Sequence, residues 1–211
     1  MRLVILGATG GIGKHLVSTA LARGHAVTAA VRSPAKITVR HPELTVLHAN
    51  PLEAGSLKEA VRDAHAVLSG IGAGGRRDSL KPASTSATAV AEAMATSETR
   101  RLIVVSAGPL NRTGEGLSWI SRRVFSPVLW AILREVYTDL ERMETFLASS
   151  DLDWTAVRPP RLTDAEGKGT YRHLVEGGPA GSSIARADVA HAMLDFLDMP
   201  ETIGHAVGVS D

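Results

Sequence analysis

A doubly wound α/β fold on a parallel sheet is what this sequence predicts, and three observations carry the prediction. Short apolar runs rich in Val, Ile and Leu recur along the chain, stretches of helical period separate them, and the gaps are long enough for crossover connections. Strand-like runs fall at residues 3–6, 26–31, 44–47, 66–71, 102–105 and 154–157, each apolar enough to be buried on both faces. Amphipathic or Ala-rich stretches at 15–23, 56–63 and 87–94 lie between them as helices, with Gly24 where the first should stop. Right-handed crossovers then place helices on both faces of the sheet. The expectation is one domain over residues 1–211, with 44% hydrophobic residues to fill its core.

The pattern loosens through Asn111-Arg112-Thr113-Gly114-Glu115-Gly116, a loop that precedes a long helix expected over 126–149. After the run at 154–157 come Pro159-Pro160, a Gly-rich stretch at 164–170, Gly177-Gly178-Pro179, a helix at 186–197 and a last strand at 205–209. Segments of about 107–135 and 159–185 should form a small cap on the substrate side. No repeat, low-complexity tail or long linker divides the chain.

Composition removes several function classes. With 23 basic and 22 acidic residues, and with Arg76-Arg77, Arg100-Arg101 and Arg122-Arg123 far apart, there is no electrostatic footprint for nucleic acid. Cysteine is absent, so disulfides, thiolate metal sites and thiol nucleophiles are excluded, and redox chemistry has to use a bound cofactor. The eight His residues show no HExxH spacing, and no metal site is expected. Met1-Arg2 leads straight into the first apolar run without a signal-like segment, which points to the cytoplasm. The apolar block at 128–133 is far shorter than the roughly 20 residues a bilayer needs, so it is a buried helix or a contact surface, and no membrane association is expected. A monomer and a homodimer are both compatible with this composition.

The chemistry begins at Gly7-Ala8-Thr9-Gly10-Gly11-Ile12-Gly13, between the first strand and the first helix. Gly7 permits a tight turn, Gly10 lets backbone approach a phosphate, and Gly13 lets helix and strand pack closely, while the helix N-terminus supplies N–H groups and positive potential. The spacing is GxxGxxG, and its position after a buried strand at the chain start marks a Rossmann-type dinucleotide turn. Gly7, Thr9, Gly10, Gly11, Ile12 and Gly13 are the expected pyrophosphate residues. The second strand ends in Arg32, where sites for NAD(H) usually carry an acid for the ribose 2′-hydroxyl. Arg32 with Lys36 favours the 2′-phosphate, hence NADP(H) over NAD(H); the alternative is two surface cations on a loop. Asn50-Pro51 and Gly70-Ile71-Gly72 follow the third and fourth strands, on the edge where open α/β sheets bind ligands, and should border adenine and the nicotinamide ribose. Ser106 ends the fifth strand, where its hydroxyl either meets the nicotinamide or a substrate oxygen, or caps its own loop. No GxSxG elbow surrounds it, which counts against a hydrolase.

With these residues in view, the chain resembles the atypical short-chain dehydrogenases/reductases, in the NAD(P)-binding group that includes NmrA-like proteins and the biliverdin reductase B/flavin reductases. The resemblance spans nearly the whole chain. It includes GATGGIG, Val31-Arg32, Thr138-Asp139-Leu140-Glu141-Arg142-Met143, and most specifically Ser150-Asp151-Leu152-Asp153-Trp154-Thr155-Ala156-Val157-Arg158-Pro159-Pro160-Arg161-Leu162. Gly169-Thr170-Tyr171, Ile184-Ala185-Arg186-Ala187-Asp188-Val189-Ala190-His191-Ala192-Met193-Leu194 and Gly204-His205 extend it.

Two departures shape what the resemblance implies. The dehydrogenase YxxxK pair is missing: Tyr137 is followed by Thr138-Asp139-Leu140-Glu141, with Leu140 standing where relatives carry Lys. Reducing a ketone needs a positioned acid, whereas an oxidised flavin takes hydride at N5 and spreads its charge, so stacking and orientation suffice. The second departure is an extra stretch between Ser106 and Met143 that includes Trp119, Phe125 and Trp130, read as a lid, a dimer contact or ordinary core. The resemblance implies an NADPH-dependent oxidoreductase of the flavin reductase type acting on a small planar acceptor. Ser106, Pro160 and Arg161 would lie on the nicotinamide side, and Ser106 and Arg161 are the catalytic candidates. Arg161 either stabilises the charge of reduced flavin or faces solvent after two prolines. A non-catalytic NADP(H) sensor of the NmrA-like kind explains the missing Tyr/Lys pair equally well, and a sugar-nucleotide epimerase is the weakest alternative.

Overall fold

The computed structural model describes residues 1–72, 80–110 and 133–211. The Arg76-Arg77 and Arg122-Arg123 doublets, the loop at 111–116 and Trp119, Phe125 and Trp130 lie outside the described residues.

Five parallel strands build the expected frame: β1 (Arg2–Leu6), β2 (Ala26–Val31), β3 (Leu44–His48), β4 (Ala66–Ser69) and β5 (Arg101–Val105). To these the second half adds β6 (Asp153–Arg158), β7 (Arg161–Thr163), β8 (Arg172–Val175), β9 (Ser183–Ala185) and β10 (His205–Ser210). The main sheet has eight strands in the order β3-β2-β1-β4-β5-β6-β10-β8, all parallel except β8, which runs antiparallel to β10 at one edge. Reversal of the strand order beside β1 is the switch point of a doubly wound sheet, and ligands bind there beyond the carboxyl ends of the strands.

β1 shows why the sheet is buried on both sides. Leu3 and Ile5 point into a core shared with α1 (Gly13–Ala22) and α5 (Arg186–Asp195). Val4 and Leu6 point into a second core under α2 (Ala54–Val61), α3 (Pro82–Met94) and α4 (Arg134–Ala148). Side chains alternate across a strand, so a continuous apolar run feeds two layers of helices.

Several boundaries differ from the sequence expectation. β4 stops at Ser69, not residue 71, because Gly70 and Ile71 turn to pack on Gly7: a methyl group on Gly7 would stand 3.1 Å from both Gly70 C and Ile71 N. The expected helix at 126–149 is not continuous through Leu133, which leaves helical geometry (φ −112°, ψ 25°) before α4 begins at Arg134. The segment at 159–185 carries the short strands β7, β8 and β9, with β7 and β9 forming a separate two-stranded sheet.

α3 starts at Pro82, five residues before the expected start. Proline suits the first helical turn because its missing N–H needs no partner there. The next two amides are capped from a distance: Ala83 N–H donates to Asp139 Oδ2 at 3.0 Å and Ser84 N–H to Asp139 Oδ1 at 3.1 Å. Asp139 is 4% exposed, so its carboxylate ties α4 to the start of α3 inside the protein. Asp139→Ala should lower stability by about 2 kcal/mol, the upper range for loss of a helix cap. Urea unfolding checks this, and a midpoint unchanged from wild type would remove Asp139 as the cap.

Candidate functional site

The strand registers bring the expected residues to one edge. Leu6 pairs with Ala30 and Ser69, Ser69 with Val104, and Val105 with Val157, so the turns after β1, β2, β4, β5 and β6 all leave the sheet on the same side. Gly7–Gly13, Arg32, Gly70–Gly72, Ser106 and Pro159–Pro160 therefore share that edge, with Asn50 and Pro51 following β3.

The glycine turn is built as its sequence requires. Gly7 sits at φ 69°, a conformation L side chains rarely adopt, and its carbonyl accepts the Gly10 N–H at 2.8 Å. At Gly13 a methyl group would stand 2.0 Å from Gly7 O and 2.6 Å from Gly7 C, so only glycine lets α1 start this close to β1. The Gly11, Ile12 and Gly13 amides donate to no backbone carbonyl among the described residues, as expected at a helix start. Free amides, a positive helix end and absent side chains fit a pyrophosphate.

Arg32 and Lys36 are exposed just beyond β2, and neither forms an ion pair among the described residues. The Asn50 side chain is committed to its own loop: Nδ2 donates to Glu53 Oε1 at 2.7 Å, and Oδ1 accepts the Leu52 N–H at 3.2 Å. Pro51 is half-buried, Gly70 approaches the amide of Gly13, and among the described residues nothing lies within 4 Å of a methyl group added at Gly72. An open groove between the start of α2 and the side of α3, lined by Leu52, Ala54, Ser84, Thr88 and Glu92 among others, includes none of the expected residues.

Ser106 and the proline pair meet at the ends of β5 and β6. The Ser106 N–H donates to Val157 O at 2.7 Å, and the Gly108 N–H to Pro159 O, also at 2.7 Å. The Ser106 hydroxyl does not cap its own loop; it donates to Glu144 Oε1 of α4 at 2.5 Å. Glu144 is held from the other side by Arg158, whose Nε donates to Oε1 at 3.0 Å and whose Nη2 donates to Oε2. Both charged side chains are 13% exposed, which makes Ser106–Glu144–Arg158 a nearly buried network at the expected nicotinamide side. Arg161 opens β7, is exposed, and has no ion pair among the described residues.

The dehydrogenase acid is also accounted for. Tyr137 is buried, and burial raises its phenol pKa above the ordinary value. Leu140 is buried, and Glu141, the residue four after Tyr137, is an acid, so neither supplies the lysine of a YxxxK pair.

Glu144 and Arg186 are the residues that sequence reasoning missed. Glu144 reaches Ser106 from a helix 38 positions on, and Arg186 lies against Gly11, where a methyl group would stand 2.7 Å from Arg186 Cδ. No local motif announces either. Next to the turn, burial lowers the pKa of His15, as do Lys14, Arg186 and His191, while Asp164 acts in the opposite sense. Among the described residues no helix is long and apolar enough to cross a membrane.

Comparison with known proteins matches residues 7–200 to a family described as NAD(P)H-binding. The uncharacterised protein YwnB of Bacillus subtilis is 27% identical over 207 residues, covering 95% of this chain and 94% of YwnB. Among solved structures, a proposed NADH-flavin reductase from Streptococcus pneumoniae superposes with a TM-score of 0.80 at 24% identity, over 100% of this chain and 99% of the other. A short-chain dehydrogenase/reductase from Veillonella parvula in complex with NADP superposes at 0.79 with 21% identity, over 100% and 94% of the two chains.

Proposed function

Because the chain belongs to the NAD(P)H-binding family, we propose that it is an NADPH-dependent oxidoreductase that reduces a small planar acceptor such as a flavin. The observation that carries this reading is the supply of acids beside β5. The hydroxyl of Ser106 already donates to Glu144, and Glu144 is engaged by Arg158. Burial makes Tyr137 a weaker acid than a free phenol, and Glu141 stands where a YxxxK pair has its lysine. Among the described residues such a site is poorly equipped to protonate an alkoxide, but a flavin needs only placement and can take its proton from solvent. The S. pneumoniae structure, itself a proposed NADH-flavin reductase, agrees with that class.

Bound NADPH would supply the hydride from nicotinamide C4. The chain's part is to hold and exclude. The Gly7–Gly13 turn would take the pyrophosphate, Arg32 and Lys36 the 2′-phosphate, and Asn50, Pro51, Gly70 and Gly72 would border adenine and ribose. Ser106, Pro160 and Arg161 would flank the nicotinamide and acceptor, with Arg161 placed to offset negative charge on the reduced acceptor.

A non-catalytic reader of NADP(H) is the second reading, favoured by the same shortage of acids. Initial rates of NADPH and NADH oxidation with FMN, riboflavin and biliverdin, run beside nucleotide binding, separate the two. Oxidation saturable in flavin and faster with NADPH supports the reductase. Tight binding with no turnover supports the reader, and no binding of either nucleotide removes both. Arg32→Asp should raise Kd for NADPH about 10- to 100-fold while moving NADH little, since a charged hydrogen bond is worth about 1.5–3 kcal/mol. Equal losses for both nucleotides would sink the 2′-phosphate assignment.

A further inference from the structure

The glycine turn has a cationic neighbour outside its motif. Arg186, the first residue of α5, packs its stem and guanidinium on Gly11, whose added methyl group would stand 2.7 Å from Cδ and 2.8 Å from Nε. A side chain at Gly11 would push the arginine away from the turn. The approach is set by the small sheet: Thr163 pairs with Ala185 in the β7–β9 ladder, so Asp164 and Arg186 emerge side by side. Arg186 Nη1 donates to Asp164 Oδ1 at 2.8 Å, and that carboxylate is 78% exposed against 26% for the arginine side chain. An ion pair open to solvent on one side is weak and readily exchanged for a stronger anion. Releasing Asp164 would not free its whole loop, because Asp188 accepts the Lys168 N–H at 3.1 Å and the Gly169 N–H at 2.8 Å.

We propose that Arg186 is a pyrophosphate ligand of the bound dinucleotide and that Asp164 is the competing anion it gives up when the nucleotide arrives. The inference rests on the dinucleotide reading of the Gly7–Gly13 turn. Arginine's planar fork suits two adjacent phosphate oxygens, and its place over Gly11 puts it beside the free amides of the helix start. Lys14 adds positive charge around the same turn, and Asp164 is the acid that opposes it at His15. Asp164 thus neutralises the arginine in the absence of nucleotide and lowers the net affinity the turn would otherwise show.

Titration calorimetry of the full chain with NADPH and with NADH tests the exchange, with Arg32→Ser as the contrast. Arg186→Gln should raise both Kd values by a common factor of about 10 to 30, because the two nucleotides share the pyrophosphate. Asp164→Asn should lower both by about 2- to 5-fold and should have no effect in the Arg186→Gln background. Arg32→Ser should weaken NADPH alone. Unchanged affinities in a folded Arg186→Gln variant overturn the assignment, and a loss confined to NADPH overturns it in favour of a 2′-phosphate contact. Should Arg186→Gln fail to fold, Asp164→Asn still decides, since it leaves the arginine in place and no gain in affinity counts against the exchange. A wild-type chain that binds neither nucleotide overturns the dinucleotide reading itself, whereas tight wild-type binding with an indifferent Arg186 overturns this inference alone.

Discussion

Gly13→Ala should abolish measurable nucleotide binding and destabilise the fold by about 3 kcal/mol or more, the top of the range for forcing atoms into a packed interior. The added methyl group would lie 2.0 Å from Gly7 O, 2.6 Å from Gly7 C and 2.8 Å from Ala8 Cα, all of them backbone atoms. No rotamer change relieves such contacts. The start of α1 has to move away from β1, and the amides of Gly11, Ile12 and Gly13 move with it. Gly55→Ala is the matched contrast. Gly55 lies in the first turn of α2 without a positive φ and, among the described residues, with nothing within 4 Å of an added methyl group, so alanine there should stabilise by about 0.5–1 kcal/mol. Thermal melting of both variants, with NADPH titration of each, checks the pair. Near-wild-type binding by Gly13→Ala would mean that the turn relaxes without cost and that its close packing is not what shapes the site.

That contrast also shows which parts of the protein the sequence makes legible. The glycine turn could be read because its constraints are local: Gly7, Gly10 and Gly13 act on one another within seven residues. The inner parallel strands could be read because burial on both faces leaves continuous apolar runs, and the expected span at 26–31 is β2 as observed; β3, expected to be buried on both faces, lies at the sheet edge and has no buried residue. Arg32 was legible as the residue leaving β2, and its exposure follows from that position. What stayed hidden depends on distant partners. α3 begins at Pro82 because Asp139, 56 positions from Ala83, accepts its amide, and nothing near residue 82 records that cap. β7 and β9 are three-residue strands that exist through their mutual pairing, so neither shows a period of its own. Arg186 reaches Gly11 only after the chain has closed on itself. Asn50 was placed correctly at a strand end, but Glu53 and Leu52 already engage its polar atoms, a competition that strand-end logic does not see.

Glu144→Ala should destabilise the fold by about 3–5 kcal/mol, because it strands a nearly buried guanidinium. In wild type one carboxylate serves three donors: the Ser106 hydroxyl, Arg158 Nε and Arg158 Nη2. Alanine leaves all three without their acceptor at a position only 13% exposed, and unpaired buried charge costs more than the pair itself gains. For a chain of 211 residues this corresponds to a fall in Tm of about 6–20 °C. Glu144→Gln keeps an acceptor oxygen for Ser106 or Arg158 and should lose less, about 1–2 kcal/mol. The double variant Glu144→Ala/Arg158→Met removes donor and acceptor together, so it should recover much of the loss. Recovery is the decisive measurement: if the double variant is as unstable as the sum of its single changes, Glu144 and Arg158 are not coupled. The network would then hold neither Ser106 nor the ends of β5 and β6 in place. If it recovers stability yet leaves Ser106 without its acceptor, NADPH and acceptor kinetics in that background report on Ser106 itself. A changed KM with a preserved kcat would mean that Glu144 fixes the direction of the serine hydroxyl for binding and leaves the chemical step to the cofactor.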